Sequence, residues 1–475
     1  MKIEIDRRPL WLLLLLKGIR PLSFLGIAIV FWYLLSIPTP EGLTLAGRNA
    51  IAIFLVCLFL WVSNLIPLAV TSILAIIMVP LFGVLTERET FALFGNEAVF
   101  FILGAFILAG AVMHSGLSKR IALSIMGRFG DSSRGLVRAI FLLAAILSFF
   151  MSEHAVAAML FPIVLEIAKG LKLRPGRSNY GKLLFISLAW GCIIGGVATF
   201  LGGARVPLAV GILKETGGET IGFIEYTVAV FPVVIIMLVV GYNVLVRLFP
   251  VDIPEMADTG GLLSRRLQEL GKVSYNEYAV GTIMFVTVLA WVFLGGRLGL
   301  AIIALTSVVV LFIFRLVRWK DIEEYVNWGI ILMYGGAIIL GTALDKSGAA
   351  AWMADQTIGA WARTPWVVIA LLSLTALVLT EGISNVAVIA ILMPVGIGMA
   401  SKFGIDPVII TFSIAVPAGL AFCLPMSTPA NAISVSSNYV GVKDMAKAGI
   451  FMGITAWIAF NIVARVYWPI IGLGF

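Results

Sequence analysis

Charge is scarce in this sequence, and histidine and cysteine are scarcer still. Asp, Glu, Lys and Arg make up 12% of the 475 residues while 61% are hydrophobic, whereas a soluble domain carries about 25% charged residues. A water-soluble enzyme or scaffold is therefore excluded. Two histidines are too few for a His-ligated metal centre. The three cysteines, Cys57, Cys192 and Cys423, lie singly in apolar segments without metal-ligand spacing and read as packing residues. No Walker motif, Gly-rich phosphate loop or soluble segment of useful size is present, which sets ATP-driven transport aside. Nor does a small-residue cleavage site follow the short apolar run of residues 10–16. Residues 1–20 are therefore expected to form an interfacial helix rather than a signal peptide.

What is present is apolar sequence in long runs. Stretches of about 18 or more apolar residues recur along the chain, each long enough to cross a bilayer core, and the mean hydropathy is +1.08. The net charge of +8 needs no nucleic-acid partner, because Lys and Arg collect in the cytoplasmic loops of membrane proteins. The chain is predicted to be an all-α integral membrane protein of the inner (plasma) membrane, embedded in the lipid bilayer. Arg7, Arg8, Lys17 and Arg20 precede the first span, about residues 23–37, and place the N-terminus in the cytoplasm.

One polar interruption organises the rest. Residues 147–158 read Leu-Ser-Phe-Phe-Met-Ser-Glu-His-Ala-Val-Ala-Ala. They set Glu153 and His154 inside an apolar segment, where ionisable groups are costly and mark function. Both flanks of that segment are basic, with Arg128, Arg134 and Arg138 before it and Lys169, Lys172 and Arg174 after it. Both flanks are thus cytoplasmic, and the segment is a re-entrant hairpin with Ser152-Glu153-His154 at its tip. The pattern returns 232 positions later: Ser148 falls on Thr380, Ser152 on Ser384 and Glu153 on Asn385. At the same offset, residues 104–111 align with residues 336–343. The second hairpin, about residues 365–400, is flanked only by Arg363 and Lys402 and is expected on the outer side. Two further spans are interrupted, one by the glycines, arginine and proline of residues 195–207, the other by residues 423–431. The resulting plan has about eleven transmembrane helices and two opposed re-entrant hairpins in two inverted repeats. Residues 1–45 hold the interfacial helix and first span, 46–249 the first repeat, 250–276 a polar cytoplasmic linker and 277–475 the second repeat.

Four polar breaks at mid-membrane make one pocket. Helix N-termini offer N–H groups and partial positive charge to an anion. Exposed carbonyls and Ser, Thr or Asn oxygens suit a hard cation such as Na⁺. The pattern points to a small anion moved together with a small cation. The plainer alternative, in which small residues only let helices pack, explains one break better than four matched ones. Two other functions stay open: an intramembrane hydrolase using Ser152 or Ser384 with His154, and an uncoupled anion channel.

Several motifs, in order along the chain, resemble the divalent anion:sodium symporter family. They are Ile66-Pro67-Leu68-Ala69-Val70-Thr71-Ser72, Gly195-Gly196-x-Ala198-Thr199, Trp319-Lys320-Asp321, Ser384-Asn385-x-Ala387 and Thr428-Pro429-x-Asn431. The resemblance implies a secondary transporter of dicarboxylate, citrate or sulfate, working as a homodimer by an elevator-type motion. It implies sodium as the co-transported ion, no cofactor and no enzymatic activity. Carried over by position, it implies one sodium site at Thr380, Ser384, Asn385 and Ser427 and another at Ser148, Ser152, Glu153 and Gly202. Substrate contacts fall on Ser152, Glu153, His154, Gly203, Ser384, Asn385, Val386, Thr428 and Pro429, with Arg205 as a further candidate.

The departures from that pattern cluster. Glu153-His154 stands where the family has Asn-Thr, Val386 where it has Thr, and Arg205-Val206 where it has Pro-Asn. Glu153 could strengthen a cation site, take up a proton to escape the cost of a buried charge, or pair with Arg205. Arg205 could instead hold the anion bidentately or face the outer headgroups. The sharpest expectation is one network of Glu153, His154 and Arg205 in place of the first sodium. Glu381 is expected to line the cavity or pair within its hairpin, His114 to be interfacial and Arg465 to snorkel.

Overall fold

The computed structural model describes residues 10–130, 132–252, 259–356 and 364–473, and over these it is helical, with no strand. Arg7, Arg8 and Arg363 lie outside the described residues. Among the described residues, eight helices are long and apolar enough to cross a membrane, including Leu45–Ser63, Phe223–Leu248 and Val442–Val466; Leu68–Leu81 and Leu300–Ile313 are shorter apolar helices. On Val442–Val466, Ile450, Ile454, Ile458 and Ile462 are exposed while Met445, Ala448, Met452, Ala456 and Phe460 are buried. Both sets repeat at near-helical spacing, so one face meets lipid tails and the other meets protein.

The described residues begin with a single helix. The helix that begins at Leu10 runs through Pro21 to Ser36 without interruption. The apolar run of residues 10–16 is thus continuous in helix with the first expected span. Elsewhere the structure has short amphipathic helices where hydropathy suggests loops: Glu87–Phe94, Leu117–Arg128, Thr259–Glu269 and Ala349–Gln356. Their charged faces lower the mean hydropathy and hide them. The first of them is opened by a capping box in which Thr86 and Glu89 satisfy each other's backbone N–H.

Thr259–Glu269 lies inside the expected linker and packs on Leu117–Arg128. Arg120 holds the two together. Its guanidinium donates to Glu277 Oε1 at 2.6 Å and to the carbonyls of Leu270, Gly271 and Lys272. Glu277 is 4% exposed, so removing its partner leaves a buried carboxylate short of donors. Arg120→Ala is expected to cost about 1–3 kcal/mol, read as a lower thermal midpoint in detergent. Adding Glu277→Gln should recover part of that loss; an unchanged melt would show that the linker is held otherwise.

The two halves interlock through paired close approaches. A Cβ on Gly104 would lie 2.7 Å from Ala304 Cβ, and one on Gly336 would lie 2.5 Å from Ser72 Cβ. Gly104 and Gly336 are 232 residues apart, as are Ser72 and Ala304. The same pair of offset positions is thus in close contact twice. Helix starts keep the same offset: Leu68 with Leu300, Leu117 with Ala349 and Glu153 with Asn385.

Candidate substrate and ion site

Two hairpins and two broken helices build the site. The first hairpin has arms Ser133–Leu147 and Glu153–Gly170, and the second has arms Pro365–Gly382 and Asn385–Phe403. The first broken helix runs Asn179–Gly196 and resumes as Arg205–Gly217. The second runs Pro407–Ala415, tightens over Pro417–Gly419 and resumes as Pro429–Ser436. The resumed helix of each half packs on the second hairpin arm of the other half. The four breaks therefore sit together.

Three of the four helix starts are capped by hydroxyls. Ser152 Oγ accepts the Ala155 N–H at 3.3 Å, Ser384 Oγ the Ala387 N–H at 3.2 Å and Thr428 Oγ1 the Asn431 N–H at 3.2 Å. N-cap hydroxyls stop a hairpin turn cleanly and leave the neighbouring N–H groups at the positive end of the helix.

Each tip is tied to the break of its own half. At the first, the Glu153 N–H donates to Gly202 O at 3.0 Å and Thr199 Oγ1 to Phe149 O at 2.6 Å. At the second, the Glu381 carboxylate accepts the successive N–H groups of Phe422, Cys423 and Leu424 at 2.8–3.1 Å. Glu381, half-buried, thus binds outside its own hairpin and fills a nest of backbone donors in the broken helix. Asn431 holds the same break from inside, donating from Nδ2 to Ala421 O, Leu424 O and Ser427 Oγ, while its Oδ1 is buried without a hydrogen-bond partner. Its Thr-Pro-x-Asn motif marks it in the sequence, but nothing there tells a break-holding amide from a ligand.

The predicted cation ligands of the second tip come together in part. Thr380 Oγ1 lies 2.8 Å from Asn385 Oδ1 and 2.7 Å from Ala418 O. Thr380 Oγ1, Asn385 Oδ1 and Ala418 O thus form a buried cluster of oxygens. Such a cluster favours a cation. Ser427 is buried nearby in the chain, its Oγ donating to Leu424 O at 2.6 Å.

The first tip differs. Arg205 is 1% exposed and does not reach headgroups. Its Nη1 lies 3.6 Å from Glu153 Oε2 and its Nη2 donates to Gly196 O at 2.5 Å. Ser148 Oγ is buried beside this break without a hydrogen-bond partner. The expected three-membered network is corrected to a pair, because His154 is exposed. Successive helical residues point about 100° apart, so a helix that turns Glu153 inward turns His154 out.

Burial sorts the remaining candidates. Ser152, His154, Ser384, Val386 and Pro429 are exposed or half-buried, and Ser148, Glu153, Gly202, Gly203, Arg205, Thr380, Asn385, Ser427 and Thr428 are buried. Glu153 and Arg205, both expected as substrate contacts, are among the buried residues. Two outlying residues keep plain roles. His114 Nε2 lies 3.6 Å from Asp321 at a helix end, and Arg318 holds the Asp321 carboxyl below the usual carboxylate range. Arg465 lies over the Trp366 ring.

Known proteins match this architecture. A family profile described as the sodium:sulfate symporter transmembrane region matches residues 20–473. The sodium-dependent dicarboxylate transporter SdcS of Staphylococcus aureus strain NCTC 8325 is 28% identical over 95% of this chain and 90% of its own length, and SdcS of strain COL matches to the same degree. Among solved structures, the YdaH transporter of Alcanivorax borkumensis shares the fold at TM-score 0.54 and 16% identity, over 80% of this chain and 86% of that one. MtrF of Neisseria gonorrhoeae does so at TM-score 0.55 and 13% identity, over 80% and 83%. With the profile spanning nearly every residue and the apolar helices able to span a bilayer, the chain is a multi-pass membrane protein of the sodium:sulfate symporter family.

Proposed function

We propose that this chain is a secondary active transporter that moves a small divalent anion, of the dicarboxylate or sulfate class, across the plasma membrane together with sodium. The observation that carries this reading is the second tip. There the oxygens of Thr380, Asn385 and Ala418 crowd together at the start of the helix Asn385–Phe403. A cation held on those oxygens adds positive charge where the helix N-terminus already attracts an anion, so each cargo strengthens the binding of the other. Ser384 and Ser427 complete the sodium shell. Ser152, His154, Ser384, Val386 and Pro429 form the anion-facing surface, backed by Gly203, Asn385 and Thr428.

The relatives support the cargo: SdcS is a sodium-dependent dicarboxylate transporter, and the family is described by sodium and sulfate. The reciprocal contacts of Gly104 and Gly336 support inverted repeats with about eleven spans and opposed hairpins. The tip-to-break hydrogen bonds support an elevator-type motion, since hairpins stapled to broken helices travel as one body. A homodimer with cytoplasmic N-termini completes the reading.

The test uses the full chain in proteoliposomes, with labelled succinate and sulfate under an inward sodium or proton gradient. Sodium-driven uptake of at least one anion is expected. Uptake driven by protons alone would remove the sodium reading, and anion currents without coupling would make the protein a channel.

A further inference from the structure

We infer that Arg205 is a resident cation: its guanidinium fills the first of two equivalent cation positions, so the protein binds one sodium where its duplicated tips would otherwise bind two. This rests on the sodium reading of the second tip.

The two tips are the same construction at a 232-residue offset, with Ser148 at the place of Thr380 and Glu153 at the place of Asn385. Their charge state differs. At the second tip, the hydrogen bonds of Thr380, Asn385 and Ser427 run to neutral groups. Crowded oxygens without a fixed positive charge suit a cation from solution. At the first tip a guanidinium is already there. It lies between the Gly196 carbonyl at 2.5 Å and the Glu153 carboxylate at 3.6 Å, both inside the protein.

The cradle is shaped for it. A Cβ on Gly203 or Gly419 would run into the guanidinium, and one on Gly196 would lie 2.5 Å from Glu153 Oε2. Gly419 belongs to the second broken helix, so both halves leave room for this one side chain. The position is also electrostatically unusual. Arg205 opens the helix Arg205–Gly217, whose start carries partial positive charge and has no side-chain cap. An arginine does not settle there for helix stability. Glu153, at the start of its own helix, supplies the opposing charge, and a buried ion pair is tolerated only when both members are present. The pair is thus neutral without an ion from solution. The first tip thus holds its cation permanently, offset by Glu153, where the second tip takes a cation from solution.

The consequence is stoichiometric. A cation bonded into the chain returns with the protein in every cycle and contributes no ion gradient. Sodium activation of uptake is expected to be hyperbolic, with a Hill coefficient of about one, because cooperativity cannot exceed the number of sites. Radiolabelled sodium should bind the purified full chain at one ion per protomer. Replacing both members, Glu153→Asn with Arg205→Ala, makes the first tip a neutral oxygen cluster like the second. That variant should bind a second sodium and show a steeper sodium dependence.

Two sodium ions bound per wild-type protomer, or a wild-type Hill coefficient of two, would overturn the inference, and neither measurement depends on a variant folding. A double variant that folds, by its size-exclusion profile and melt, yet still binds a single sodium would also overturn it. Sodium binding is counted without any anion. Failure to transport succinate or sulfate would therefore count against the proposed cargo, while the sodium count alone decides the role of Arg205.

Discussion

Asn385→Ala is expected to raise the sodium concentration for half-maximal uptake by about 10- to 100-fold, the range seen when a group holding a metal site is removed. The side chain contributes Oδ1 to the oxygen cluster with Thr380 and Ala418, and it is buried. Its loss removes one of the proposed cation ligands and leaves the Thr380 hydroxyl a single acceptor, Ala418 O. The helix Asn385–Phe403 should still form, because its cap is the Ser384 hydroxyl and not Asn385. The effect should therefore appear in the sodium titration and not in the melt. Asn385→Asp supplies the carboxylate that the first tip has in Glu153, with no guanidinium opposite. It should keep or tighten sodium binding and slow release. A sodium titration that is unchanged in Asn385→Ala would remove the second tip from the ion site.

Glu381→Ala should produce the largest structural effect. One carboxylate accepts three consecutive backbone N–H groups across the break before Pro429–Ser436. Hydrogen bonds to a charged group are worth about 1.5–3 kcal/mol each, and donors left unpaired away from water cost a similar amount. These bonds share one side chain, so about 3–5 kcal/mol is expected rather than the sum. Glu381→Gln keeps one acceptor oxygen and should fall between.

A chemical reporter is built in. Cys423 is half-buried within the nest, whereas Cys57 and Cys192 are buried. Opening of the break should raise maleimide labelling of Cys423 by on the order of tenfold, because a local opening costs less once its bonds are gone. Equal labelling and an equal melting temperature in Glu381→Ala would show that the second hairpin is not held by this staple. The same variant also bears on transport, since a tip released from its broken helix cannot move with it as one body.

The hairpin tips were legible from polarity and offset alone. Serine at 152 and 384, each followed by an apolar helix, is the ordinary signature of a cap, and matching interruptions in two halves point to one site. The long spans were legible because lipid demands about 20 apolar residues per crossing. The short helices Leu117–Arg128 and Thr259–Glu269 were not, because their stability comes from packing on each other and from Arg120, neither of which hydropathy records. The separation of His154 from Glu153 was available in principle from helical geometry. Grouping residues by nearness in sequence concealed it.

The sequence by itself determined that this is a helical membrane protein, and where its apolar segments are interrupted. These are properties of composition and spacing, which the bilayer reads locally. Only the tertiary structure decided what the interruptions do. Arg205 could have faced headgroups, substrate or Glu153, and the choice depends on Gly196 and Gly203 in one half and Gly419 in the other, which leave space for a buried guanidinium. Glu381 could have faced a cavity, and the choice depends on three N–H groups about 40 residues away, freed where a helix breaks. A charge in a membrane goes where its counter-charge or its donors are, and those come from distant segments brought together by packing.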